Sequence, residues 1–214
     1  MPVAPLAVAA SLILAGCTGP PPIDPIAPES RLVDLLVTKE DFSARFPDGS
    51  IALLTEPREV PLESVDFRYT ALGFYSPDAV GEECAAASAK FDELNLGTTE
   101  IASVDAIIAA TGEQLAVELI RFDSDVTAAA VVEHVRDTLD ACLPDASRYP
   151  ELGYLIEYPT EVKGSVAFSD DYSTPPTIKI LRAEHDILIV TSGQVSPEPL
   201  SEAMQLMLDA LKER

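Results

Sequence analysis

The stretch IASVDAIIAATGEQLAVELIRFDSDVTAAAVVEHVRDTLDACL, residues 101–143, changes its apolar period partway along. IASVDAIIAAT and QLAVELIRF are short runs rich in Ile, Val and Leu, separated by Gly112-Glu113, and together they read as an antiparallel hairpin. After Asp123-Ser124-Asp125, a run of capping residues, VTAAAVVEHVRDTLDACL takes helical spacing, with Val131, Val135, Leu139 and Cys142 on one face. The unit is strand, strand, helix.

That unit recurs. TIKILRA and ILIVTSG flank Glu184-His185-Asp186 as a second hairpin, and PLSEAMQLMLDALKER follows with Leu200, Met204, Met207 and Leu211 on one stripe. Between the two units, GYLIEYP and SVAF add further strands. Parallel α/β folds alternate single strands with helices, which is not the order here. The expectation is an α+β fold: an antiparallel sheet of about five to seven strands, covered by helices on one face.

Upstream, RLVDLLVTKEDFSARFP reads as a short helical opening with Leu32, Leu35 and Leu36 at helical spacing. Thr38 caps a second turn that ends at Pro47. The segment through VPLESVDFRYTALGFYS mixes prolines with short apolar runs and reads as loop with one or two edge strands. Ser76-Pro77-Asp78 then opens a helix that runs through Cys84 to about Leu94, with Ala85, Ala86, Ala87 and Ala89 supporting it.

The N-terminal segment has a different character. Pro2 to Gly16 carries no charged side chain, yet it falls short of the roughly 20 apolar residues of a membrane-spanning helix. Leu6 to Leu14 followed by Ala15-Gly16 has the make-up of a secretory signal, and Leu14-Ala15-Gly16-Cys17 resembles the bacterial lipobox. That resemblance implies that residues 1–16 are a lipoprotein signal peptide and that Cys17 becomes a diacylglyceryl-modified N-terminus. The first basic residue of the chain is Arg31. Residues 18–30, TGPPPIDPIAPES, are too rich in proline for helix or central strand. At about 3.1 Å per residue in polyproline II form they would hold the domain up to about 40 Å from the lipid. Residues 17–30 thus form a lipidated linker, and residues 31–214 one α+β domain.

With Cys17 assigned to lipid, Cys84 and Cys142 remain as a pair. In an oxidising envelope they are expected as a disulfide closing a loop of about 59 residues. Two buried free thiols are the alternative. No C-x-x-C occurs and the histidines are two, so no metal is expected.

The 36 acidic against 14 basic residues, a net charge of -22, argue against nucleic acid and against electrostatic attachment to anionic lipid. The acidity reads as solubility. Pairs such as Asp123 with Asp125 and Asp170 with Asp171 lack the spaced ligands and turn glycine of a calcium loop. No G-x-S-x-G, P-loop or Rossmann fingerprint occurs. His134 sits mid-helix three residues before Asp137, and His185 lies in a tight turn between two acids, so neither is placed as a catalytic base. No enzymatic activity and no cofactor are expected.

The lipobox, LLVTKEDF near the domain start, Pro77 followed by Cys84 on one helix, a later helix closing on Cys142 and the strand order together resemble one group. They resemble the PknH-like extracellular sensor domains of actinobacterial receptor kinases and their stand-alone lipoprotein relatives, over most of residues 31–212. The resemblance implies an α+β fold with a cleft between sheet and helices that receives a ligand. It also implies a place on the extracytoplasmic face of the cell membrane, held by the lipid anchor. The receptor domains carry two disulfides where this chain can form one, and this chain has no Trp.

Two binding functions are therefore expected ahead of a hydrolase. One is a cleft for a small or lipidic molecule, for which Tyr69, Phe74, Tyr75, Tyr154 and Tyr158 are the candidate contacts, with Phe67 and Tyr149 in the same aromatic set. The other is a module that docks an envelope protein through an exposed strand near residues 60–75 or an acidic face.

Overall fold

The computed structural model describes residues 30–62, 77–90, 94, 96–169 and 173–213. Cys17, the proline-rich linker, Phe67, Tyr69, Phe74 and Tyr75 lie outside the described residues.

Near the start of the domain, Leu32–Leu35 (α1) and Lys39–Arg45 (α2) bracket a capped turn. Thr38 caps α2 as expected. Its Oγ1 accepts from the Asp41 N–H at 3.3 Å, while Asp41 Oδ2 accepts from the Thr38 N–H at 2.6 Å, so two of the helix's orphan donors are satisfied reciprocally. Two short strands follow, Ile51–Leu53 (β1) and Arg58–Glu59 (β2).

The helix expected from Pro77 to Leu94 is instead broken into Pro77–Val80 (α3) and Glu82–Ala89 (α4). Gly81 separates them with φ at +89°, which cannot continue a right-handed helix. A Cβ there would also meet Tyr149 Oη at 3.1 Å. The alanine-rich composition favoured one helix, and a single glycine with a tyrosine ring against it decided otherwise.

Thr98–Ile108 (β3) and Gln114–Phe122 (β4) form the first hairpin, and Asp125–Cys142 (α5) follows. Ile156–Tyr158 (β5) and Val166–Ser169 (β6) precede the second unit, which is Ile178–Glu184 (β7), Ile187–Gly193 (β8) and Pro197–Lys212 (α6). Every pairing is antiparallel. Among the described residues the sheet has eight strands in the order β1-β3-β4-β8-β7-β6-β5, with β2 also on β3. The expected five to seven become eight because both edge segments, β1 and β2, pair with β3. Adjacent β4 and β8 set the two strand-strand-helix units side by side.

One expectation needs correction: the helices cover both faces, not one. On the first face α6, α1 and α2 pack on Ala102, Val104, Leu115, Val117, Leu119, Ile178, Ile180, Ile187 and Ile189. On the second, α5 and α4 pack on Ile101, Ile120, Phe122, Val166, Phe168, Leu181, Leu188 and Val190. The reason is visible in β8, where Ile187, Leu188, Ile189 and Val190 are apolar at every position and all buried. A strand apolar on both sides needs cover on both sides.

Both predicted stripes lie where expected. Val131, Val135, Leu139 and Cys142 are buried in the second core, and Leu200, Met204, Met207 and Leu211 in the first. Each of the Val, Leu and Met side chains among them contributes roughly 1.5–3 kcal/mol by leaving water. Cys84 on α4 and Cys142 at the end of α5 are joined in a disulfide, which ties α4 to α5 across a sequence separation of 58. Among the described residues, no helix is long and apolar enough to cross a membrane.

Candidate functional site

The most developed polar constellation grows from an arginine inside an apolar strand. Arg121 is the penultimate residue of β4, and its side chain is only 9% exposed. On β3 the register slips by one residue between Thr98 and Glu100: Thr98 pairs with Phe122 and Glu100 with Arg121. Thr99 is the extra residue, and its Oγ1 donates to the Arg121 carbonyl at 3.3 Å. The bulge therefore places Glu100 directly opposite Arg121.

Arg121 Nη1 donates to Glu100 Oε2 at 2.8 Å and to the Ser30 carbonyl at 2.7 Å. Its Nε lies 3.1 Å from Asp186 Oδ2, an ion pair that is not aligned as a hydrogen bond. Glu100 Oε1 in turn accepts from the Leu32 N–H at 2.7 Å, which fixes the start of α1. Arg121 Nη2 is buried and has no hydrogen-bond partner. A charged donor left unmatched away from water is costly, and few native groups are left so.

Arg121 lines an open cavity of about 610 Å³. Its polar walls are Ser30, Arg31, Glu59, Thr99 and Glu100, and its apolar wall is Val60, Pro61, Leu62 and Ile101. At the rim, Arg31 donates Nε and Nη2 to the same Glu59 oxygen, Oε1. Arg31 is pushed above its ordinary pKa, first by that hydrogen bond and then by the Glu59 charge. Both side chains are more than half exposed, so this pair is a solvent-screened rim contact, unlike the Arg121 cluster, whose arginine is buried.

Among the described residues, the cavity walls contain no His, Cys or Lys, and the two carboxylates, Glu59 and Glu100, are tied to arginines. The histidines lie elsewhere: His134 is buried on α5, where burial lowers its pKa, and His185 occupies the β7–β8 turn with φ at +55°. Among the described residues, no group of three His, Cys, Asp or Glu side chains could hold a metal ion.

Of the predicted aromatic contacts, Tyr154 and Tyr158 are half-buried, and neither lines this cavity. Tyr158 lines a separate hollow of about 140 Å³ with Arg136, Asp140 and Thr160, and Tyr149 packs on the second core. Arg121, Glu100, Arg31 and Glu59 were not singled out from the sequence. The available signal was the Arg in LIRF, residues 119–122, because a charge among consecutive large apolar residues that are buried requires a partner.

These features define a class: an all-antiparallel α+β domain with helices on both sheet faces, one disulfide and an arginine-carboxylate cavity at one end of β3 and β4. A solved structure that shares this fold is the extracellular domain of PknH from Mycobacterium tuberculosis, at a TM-score of 0.50 and 12% sequence identity. The match covers 89% of this chain and 98% of that one. At that identity the likeness concerns the fold. No family model matches the chain, and no curated protein does.

Proposed function

We propose that this chain is a cell-envelope lipoprotein, anchored through a diacylated Cys17, whose domain binds a small or lipidic molecule without transforming it. The observation that carries this reading is the open cavity lined by Arg121, a charged side chain only 9% exposed whose Nη2 has no hydrogen-bond partner among the described residues. The likeness to the extracellular domain of PknH is consistent with an extracytoplasmic sensing or carrier role. So is the disulfide, a bond that persists in oxidising compartments. The cavity also lies where the linker joins the domain, since Ser30 is part of its wall. In an anchored protein that end is tethered nearest the membrane.

The test is mass spectrometry of the full chain produced in an actinobacterial host and purified from its membranes. The expected N-terminal peptide begins at Cys17 and carries a diacylglyceryl mass. Native spraying is expected to show a stoichiometric adduct that is lost on denaturation. An unmodified Cys17 would refute the anchor, and a clean apo mass from fresh membranes would refute the carrier reading.

A further inference from the structure

The charge arrangement around the cavity restricts what the ligand can be. Two guanidiniums, Arg31 and Arg121, face three carboxylates, Glu59 and Glu100 in the wall and Asp186 on Arg121. The cluster is therefore net negative, within a chain of net charge -22. An anionic headgroup would meet carboxylates already holding both arginines, and the field of the whole protein would repel it. A cationic headgroup has no acceptor for the unmatched Arg121 Nη2. The group the walls lack is one that accepts from a guanidinium and donates to a carboxylate.

A hydroxyl does both. Arg121 Nη2 has no acceptor. Both Arg31 donors converge on Oε1 of Glu59, which leaves the second oxygen of that carboxylate without a donor among the described residues. Thr99 Oγ1 spends its proton on a backbone carbonyl and so presents lone pairs. Donor and acceptor groups thus line the same cavity as the apolar Val60, Pro61, Leu62 and Ile101. Resting on the ligand-binding reading above, we propose that the cavity selects a neutral, polyhydroxylated headgroup, a glycosyl or polyol unit. The apolar wall takes whatever aliphatic chain that headgroup carries.

The experiment uses four probes with the full-length protein in solution, each titrated by calorimetry below its micelle concentration. Octyl β-D-glucoside, octanoate and octyltrimethylammonium share one chain and differ in headgroup charge, and methyl β-D-glucoside supplies the sugar without the chain. Octyl glucoside is expected to bind at least about 10-fold more tightly than either ion, because octyltrimethylammonium leaves the arginine donor unmatched and octanoate is repelled by the carboxylates and by the field of the whole protein. Methyl glucoside binding equally well would support a free sugar as the source, and much weaker binding would support a lipid-linked one. Glu59→Lys, at an exposed rim position, should reverse the preference toward octanoate, and Leu62→Asp should weaken all three amphiphiles.

Octanoate binding as tightly as octyl glucoside would overturn the headgroup assignment and leave the ligand site standing. No binding by any probe would overturn the ligand site with it. Binding unchanged in both variants would place the sugar elsewhere and refute the proposal.

Discussion

Replacing Arg121 with Met tests whether the buried ion cluster holds the domain together as its geometry implies. The substitution keeps an apolar stem of similar length in β4 but leaves Glu100 and Asp186 facing each other without a counter-charge. Removing one member of a buried pair costs about 3–5 kcal/mol, chiefly from the stranded charge. The two carboxylates keep 23% and 24% side-chain exposure, so water partly rehydrates them and the lower end, about 3 kcal/mol, is expected. With a urea m-value of about 2 kcal/mol/M, the midpoint should fall by about 1.5 M with m unchanged. Far-UV circular dichroism is the suitable readout because the chain has no Trp. Neutralising the partners as well, in Arg121→Met/Glu100→Gln/Asp186→Asn, should return stability to within about 1 kcal/mol of wild type. A single-variant loss below about 1 kcal/mol would mean that the cluster behaves as an exposed pair. A triple variant no more stable than the single one would assign the cost to lost packing of the arginine stem instead.

Alkylation of the non-reduced protein should leave Cys84 and Cys142 unlabelled, and labelling of both would contradict the pairing. Cys84→Ala/Cys142→Ala should cost about 4 kcal/mol by loop-closure entropy, read as a lowered thermal midpoint. His134 gives a pH signature. Burial holds its folded pKa below the ordinary histidine value of 6.5; Asp137 partly opposes this, and the Lys90 charge adds to it. The unfolded chain therefore takes up the proton first. The His134 contribution is constant above about pH 6.5, falls as pH drops through that value, and levels off below the folded pKa. His134→Leu should remove this component, so the difference in urea midpoint between wild type and variant should change between pH 7.5 and pH 5. A constant difference would refute it.

How far the sequence carries depends on whether a feature is local. The stripes of α5 and α6 were legible because residues three and four apart share a helix face whatever the rest of the chain does. Thr38 and Asp41 were close enough in sequence for the cap to be read directly. The second helical face was missed even though ILIV in β8 announces it, since an unalternating apolar strand is a sign of burial on both sides. Gly81 was missed because alanine propensity and glycine conformation point in opposite directions there. The glycine's positive φ wins only in company with Tyr149, 68 positions later in the numbering.

The Arg121 site belongs to a different order of difficulty, because it depends on register. Residues directly opposite in an antiparallel pair share a face, so a slip of one position reverses every side chain. Had Thr98 and Phe122 set the register for the whole hairpin, Thr99 would oppose Arg121, and Glu100 would oppose Ile120 on the side of the second core. Instead the one-residue bulge at Thr99 restores Glu100 to Arg121, opposite Asp186 and beneath α1. Nothing in QLAVELIRF or in TTEIASV alone specifies that bulge. It is favoured only once Arg121 is buried and must be paired, with Glu100 21 positions away and Ser30 91 positions away in the chain. The arginine in an apolar strand could thus have been flagged from sequence as a residue in need of a partner. The identity of that partner, and the cavity their pairing lines, follow from the sheet.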